Sequence, residues 1–335
     1  MKKILIWSIT AALAGFLFGF DTVVISGADK KLQLLWGSSD VFHGTVVMAM
    51  ALWGTVVGAL FGGIPTNKIG RKNTLIWIGI LYTISALGSA FANDPITFAF
   101  FRFIGGLGVG ASTIPKSPRW LLTKMRNDEA KKVLQLINPD QDPEALMLEL
   151  KAESDSTVSG ENIFIKKYRF PLLLAFLIAM FNQFSGINAF LYYAPRIFEE
   201  AGLGESTALL SSIGIGITNL LFTLLGVFLI DRLGRKQLMY IGSVGYIISL
   251  SLVACAFFLN WEGMAVPIFL FLFIAAHAIG QGTVIWVFIS EIFPNHLRGS
   301  GQSFGSSVHW ILAAIIPSLV PVLFTSIGAG PVFAF

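Results

Sequence analysis

Two ionisable residues stand inside otherwise apolar runs of this chain. Asp21 is flanked by Phe18 and Phe20, and Arg102 sits near the start of a second run. A charged side chain in hydrocarbon is costly, so each is a functional candidate by default. Burial raises a carboxyl pKa and a neighbouring cation lowers it, so an Asp–Arg couple in low dielectric can be switched by solvent access. The same two residues also fit a static ion pair. A third cluster is polar but uncharged. Asn182, Gln183 and Asn188 place three amides within seven residues of another apolar run. Amides carry donors and acceptors together, which suits either a neutral polar ligand or hydrogen bonds between helices.

These residues need elements to hold them, and the composition says what those elements are. Of 335 residues 55% are hydrophobic and only 13% charged, with 30 Phe. A mean hydropathy of +0.74 is too apolar for a water-facing surface. Nine long apolar runs are read at roughly 4–27, 44–64, 74–92, 96–114, 170–194, 207–230, 238–259, 266–290 and 303–324. Each has about the length of a membrane-crossing helix, and each is far too long for a barrel strand. The expected fold class is therefore all-α, a polytopic membrane helical bundle. Ala12-Leu13-Ala14 after Lys2 and Lys3 has the form of a signal-peptide cleavage site. The apolar run continues past it to Phe20 and Val24, which favours a first transmembrane helix.

One long polar stretch, 116–169, interrupts the pattern. Asp142-Pro143-Glu144 is a helix start, and Asn127-Asp128-Glu129 is a similar one. Two or three short amphipathic helices are expected there, with Ser154–Gly160 as a flexible link. With the N-terminus in the cytoplasm, nineteen of the 23 Lys and Arg fall on the inner side and three outside: Lys30, Lys31 and Arg196. The basic balance is then a topology signal and not a nucleic-acid patch. Asn67-Lys68-Ile69-Gly70-Arg71-Lys72 is echoed by Asp231-Arg232-Leu233-Gly234-Arg235-Lys236, each after an outward-to-inward run. Parallel repeats of this kind place a ligand site at their interface near the midplane. The chain divides into 1–115, a cytoplasmic linker 116–169, and 170–335.

The paired turn motif resembles that of the major facilitator superfamily, and further segments resemble its sugar porter family in order. They are Phe18–Gly27, Arg102–Gly110, Pro115–Leu121, Asn182–Asn188 with Tyr192-Tyr193, and Gly282–Trp286 followed by Ser290–Pro294 and Arg298. That family has twelve helices. Here the motif of the fourth helix runs into the motif after the sixth near Ser112–Pro115, so helices five and six have no counterpart, and the twelfth is barely begun. An even number is missing, so the later helices keep their orientation.

The resemblance implies a plasma (inner) membrane carrier of a hexose or pentose, driven by proton symport through alternating access. Its partners would be a small-molecule sugar, protons and the lipid bilayer, with no nucleic acid and no cofactor. The alternative is a transport-dead chain that only binds sugar or interacts with another protein. By the same resemblance Asp21 takes up the proton beside Arg102. Phe18, Asn182, Gln183, Asn188, Tyr192, Trp286 and Trp310 would contact the sugar, the amides by paired hydrogen bonds and the aromatics by their faces. Three amides so close, in a matching motif, favour ligand binding over simple helix bridging. Asn182 stands where many members have a second Gln, and His309 where an amide is common. Arg71, Asp231, Arg235, Glu291 and Arg298 would form a cytoplasmic gate, or serve only as inner-side anchors. Asn67 and Lys116 replace acidic residues usual in such a gate.

Other signals point away from enzymes. Gly106-Leu107-Gly108-Val109-Gly110 follows no strand, so it does not read as a dinucleotide loop. Gly54, Gly58 and Gly62 read as close helix packing. His43, His277, His296 and His309 lack metal-ligand spacing. No nucleophile elbow or metalloprotease motif occurs, and the single Cys255 excludes an internal disulfide.

Overall fold

The structure, a computed structural model, describes residues 2–61, 63–112, 127–137, 141–148, 162–261, 263–294 and 297–334. Among them the regular structure is entirely helical. In chain order come α1 (Lys2–Trp36), α2 (Asp40–Phe42), a π turn (His43–Met48), α3 (Met50–Phe61), α4 (Gly63–Ala90) and α5 (Pro95–Ser112). The polar stretch holds α6 (Asn127–Ile137) and a short helix α7 at 143–148. Then follow α8 (Arg169–Phe184), α9 (Ile187–Glu200), α10 (Glu205–Leu233), α11 (Arg235–Phe258) and α12 (Ala265–His277). A second π turn (Ala278–Gly282) leads into α13 (Thr283–Glu291), α14 (Arg298–Ile327) and α15 (Ala329–Ala334).

Where they are described, all nine apolar runs fall on helices, with different ends. α1 continues to Trp36, beyond the expected stop at 27. The run 44–64 is bent by 43° where the π turn meets α3. The run 170–194 extends to Glu200 but breaks at Ser185-Gly186, where Gly186 takes a left-handed φ of 77°. Among the described residues six helices are long and apolar enough to cross a membrane, the bent pair would make seven, and Pro95–Gly110 is a shorter apolar helix. The bundle's outer faces carry large apolar side chains, such as Leu220, Leu221, Leu224 and Phe228 on α10 and Phe16, Phe20 and Val24 on α1. Faces like these are stable only where the solvent is itself apolar.

Small residues let the backbones close up. α3 and α5 pack intimately. A Cβ on Gly54 would collide with the Phe103 carbonyl, and one on Gly58 with the Leu107 carbonyl. The reverse holds for Gly106 against Ala51 and Gly110 against Thr55. Gly62, expected in the same stripe, lies outside the described residues. In α14, Pro321 has no N–H, so the carbonyl of Pro317 four residues earlier loses its helical partner. The Tyr193 hydroxyl of α9 donates to that carbonyl at 3.0 Å.

Two groups of helices, α1–α5 and α8–α15, meet where α1 packs on α9 and where α14 packs on α3 and the first π turn. A polar cluster ties them at the end where α1 finishes. Asp29 Oδ1 lies 2.8 Å from His43 Nε2, and Asp29 Oδ2 lies 2.8 Å from Arg196 Nε. The latter contact is a close ion pair without good hydrogen-bond alignment. Arg196 Nη2 donates to Gln33 Oε1 at 2.6 Å, and Gln33 Nε2 donates to Asp40 Oδ1 at 2.7 Å. The Thr325 hydroxyl of α14 donates to Asp40 Oδ2 at 2.7 Å. Lys30 also pairs with Glu199, and Lys31 with Glu205 at 3.2 Å.

The polar stretch is helical where it is described. Asp142 accepts the Glu144 N–H at 3.0 Å, an N-terminal cap as the sequence suggests. Lys131 of α6 pairs with Glu144 of α7, and this hydrogen bond is the main cause that raises the Lys131 pKa. Ala130 and Leu134, four residues apart on α6, are both buried. The expected link Ser154–Gly160 lies outside the described residues.

Gly58→Val is expected to cost about 1–3 kcal/mol by overpacking against α5, seen as a lower midpoint in thermal unfolding of detergent-solubilised protein. Gly79→Ala on α4, whose Cβ would meet nothing within 4 Å, should leave that midpoint unchanged or slightly raised. Arg196→Met leaves Asp29 buried with His43 alone and is expected to cost about 3–5 kcal/mol. The Asp29→Asn, Arg196→Met double variant should lose less than the two singles combined, measured by the same unfolding.

Candidate functional site

α1 presents Phe18 and Asp21 one turn apart, hence on the same side of the helix. Asp21 pairs with Arg102 of α5. The Arg102 side chain is 5% exposed and that of Asp21 34% exposed, so the cation is the more deeply held partner. Arg102 Nε and Nη2 are buried and have no hydrogen-bond partner among the described residues. Tyr82 of α4 and Tyr192 of α9 lie within the field of Asp21. The Tyr82 hydroxyl is likewise buried without a partner among the described residues, and the buried Tyr192 hydroxyl lies by the Thr22 hydroxyl of α1.

Phe18 meets Trp310 of α14 edge to face, ring centroids 5.4 Å apart. Trp310 contacts His309 at 5.1 Å, and His309 contacts Trp286 of α13 at 4.8 Å. The indole N–H of Trp310 is buried without a partner among the described residues. An aromatic wall with inward polar ends thus runs from the Asp21 helix to α13.

The amides sit on both sides of the Ser185-Gly186 break. Asn182 and Gln183 close α8, Asn188 opens α9, and all three are buried. They form one ladder. Asn188 Nδ2 donates to Gln183 Oε1 at 2.7 Å, and Gln183 Nε2 donates to Asn182 Oδ1 at 3.0 Å. Asn182 Nδ2 lies 3.3 Å from His277 Nε2, and Gln183 Nε2 lies 3.1 Å from both ring nitrogens of His309. The Ser185 hydroxyl donates to the Asn182 carbonyl at 2.6 Å and holds the break. The arrangement combines amide donors and acceptors with aromatic faces, which fits a neutral, polyhydroxylated ring.

At the other end of the bundle Arg235 forks onto Glu291, Nε to Oε2 at 3.2 Å and Nη2 to Oε1 at 3.0 Å. Its Nη1 lies 3.5 Å from Asp231. These three residues belong to α10, α11 and α13, so their pairs stay within one helix group. Arg298 opens α14, is exposed, and makes no ion pair among the described residues. Arg71 lies on α4, and its side chain lies outside the described residues. The structure therefore joins three of the five expected gate residues.

Two features escape a sequence reading. His277 enters the amide ladder, although the sequence singles it out only by its lack of metal-ligand spacing. Among the described residues no group of His, Cys, Asp and Glu can hold a metal. The Asp29–His43–Arg196 cluster also went unseen, and its available signal was an acidic residue two helical turns beyond Asp21. A cavity of about 200 Å³ opens beside that cluster, lined by Ser26, Lys31, Leu34, Pro195 and Glu205 among others, away from the amides.

With the geometry in place, comparison with known proteins is informative. The family described as sugar (and other) transporter matches residues 7–114 and 111–335, two pieces that meet near Ser112. The chain is 29% identical to the arabinose-proton symporter of Bacillus subtilis (strain 168), covering 99% of this chain and 88% of that protein. It is 31% identical to a D-xylose transporter of Levilactobacillus brevis, covering 96% and 87%. The first alignment runs over 413 positions, more than the chain possesses, so the relative has positions this chain lacks. The fold is similar to a solved proton:xylose symporter of the major facilitator superfamily bound to 6-bromo-6-deoxy-D-glucose. The TM-score is 0.84 at 25% identity, over 97% of this chain and 91% of that one. An all-helical bundle with lipid-facing apolar helices, this chain is an integral membrane protein that belongs to the sugar porter family of the major facilitator superfamily.

Proposed function

We propose that the chain carries a monosaccharide, a hexose or pentose, across the plasma (inner) membrane by proton symport, with its N-terminus in the cytoplasm. The observation that supports this most directly is the placement of Phe18 and Asp21 on one turn of α1. Phe18 touches the Trp310–His309–Trp286 wall while Asp21 pairs with Arg102, so one helix carries both the proton group and a wall of the sugar site. Protonation of Asp21 removes its charge and frees Arg102; deprotonation restores the pair. Sugar bound against Phe18 biases where α1 sits, and through it the access of Asp21 to water. The names of the two symporters above lend support, since each couples a sugar to protons.

In this reading residues 1–115 and 170–335 are the two rocking parts and 116–169 is the cytoplasmic linker. The Asp29–His43–Arg196 cluster then closes the outer end. Arg71, Asp231, Arg235, Glu291 and Arg298 serve the inner gate. Asn182, Gln183, Asn188, Tyr192, Trp286, Trp310 and Phe18 hold the sugar. The chemistry is binding and movement, without bond making, so no enzyme activity is assigned.

A second reading is a chain that binds sugar but does not transport. The positions absent relative to the symporters favour it, as do the uncovered apolar faces of α1 and α10. One experiment separates the two readings. Proteoliposomes holding this chain should take up labelled D-xylose or D-glucose faster under an inward proton gradient, and Asp21→Asn should abolish the stimulation. No uptake by correctly inserted protein, with sugar binding retained, would establish the second reading. Under either reading, Gln183→Ala or Asn188→Ala should weaken sugar binding about tenfold or more, one lost buried hydrogen bond costing about 1–3 kcal/mol. Quenching of the Trp286 and Trp310 fluorescence by added sugar measures it.

A further inference from the structure

The amide ladder has a direction, and a residue outside the expected site stands at its end. An amide side chain has a donor end and an acceptor end of the same size, and only its partners decide which way it points. Asn188 donates to Gln183, Gln183 donates to Asn182, and Asn182 directs its Nδ2 at His277 Nε2, 3.3 Å away. His277 therefore accepts at the end of the ladder. It is 6% exposed, closes α12, and stands immediately before the π turn Ala278–Gly282. A π turn inside an α-helix is frequently found at a functional site. Here it joins the helix that carries His277 to the helix that carries Trp286. The ring lies against Phe273, with centroids 6.2 Å apart, and no carboxylate contacts it among the described residues.

We propose that His277 is a specificity-determining positioning residue of the sugar site. By accepting from Asn182 it fixes the polarity of the ladder at its end, while His309 lies 3.1 Å from Gln183 Nε2 at its middle, so that Asn188 faces the ligand with its carbonyl oxygen uncommitted. The inference rests on the sugar-binding reading and deepens it. A donor proton at His277 Nε2 would turn Asn182 over, and each following amide would turn with it. Asn188 would then present its N–H groups to the ligand. The ladder as built meets the hydroxyl hydrogens of a sugar with an acceptor. A site built to hydrogen-bond a hydroxyl rejects the analogue without it, because the buried polar group is left unpaired. His277 touches no ligand in this scheme and acts only through Asn182.

The test is a discrimination ratio. Binding of D-xylose and of its single-deoxy analogues to the purified full chain is measured by tryptophan quenching, for the parent protein and three variants. The parent is expected to prefer D-xylose over at least one deoxy analogue by about tenfold or more. His277→Phe, which keeps an aromatic ring but no acceptor, should bring that ratio towards one. His277→Gln, which can still accept through its carbonyl, should retain most of it. Asn182→Leu cuts the ladder from the other side and should match His277→Phe, which covers the case in which His277→Phe does not fold. A parent-like ratio in folded His277→Phe or in Asn182→Leu overturns the role of His277 while leaving sugar binding intact. Absence of binding of D-xylose, L-arabinose and D-glucose by the parent overturns the sugar reading itself, and this inference with it.

Discussion

A charge in hydrocarbon must be compensated, and much of this molecule is arranged around that requirement. Asp21 and Arg102 answer it with each other across α1 and α5. Asp29 answers it twice, with His43 of the first π turn and Arg196 of α9. Both carboxylates lie on α1; Arg102 and His43 belong to its own helix group and Arg196 to the other. α1 is thus held at mid-length to its own group and at its far end to both. The same rule governs the backbone. The carbonyl left over by Pro321 is taken by Tyr193, so a proline in a membrane helix becomes a cross-link between α14 and α9.

Packing supplies what charge cannot. Glycines on α3 and α5 bring two backbones into direct contact, which makes a firm pair from helices with little else in common. Gly242 and Gly280 do the same between α11 and the second π turn. By contrast α1 and α10 expose rows of large apolar side chains. This chain leaves those faces to lipid. Stability here therefore depends on a few close seams.

Much of this was legible in the sequence, for identifiable reasons. Membrane helices announce themselves by length and apolarity, so all nine runs were placed. An ionised side chain within such a run is rare enough to single out Asp21 and Arg102. Three amides in seven residues were conspicuous for the same reason. The break at Gly186 and the bend beyond the first π turn were not legible, because hydropathy does not see backbone dihedrals. His277 was hidden because a lone histidine on an apolar helix usually signifies nothing; only the distance to Asn182 gives it a meaning. Arg196 was counted as an outer-side charge, since sequence cannot show that it turns inward to a buried carboxylate. The expected gate was only partly assembled, because Arg235 finds its acidic partners inside its own helix group.

The left-handed residue at Gly186 has a mechanical consequence. It divides one span into α8 and α9, the latter kinked again at Tyr193 before Pro195, and the amide ladder crosses the first division: Asn182 and Gln183 belong to α8, Asn188 to α9. Under the proposed sugar reading, a molecule that hydrogen-bonds to both sides sets the angle between them. The recognition residues and the joint are then the same few residues, so a bound sugar bears on the joint itself.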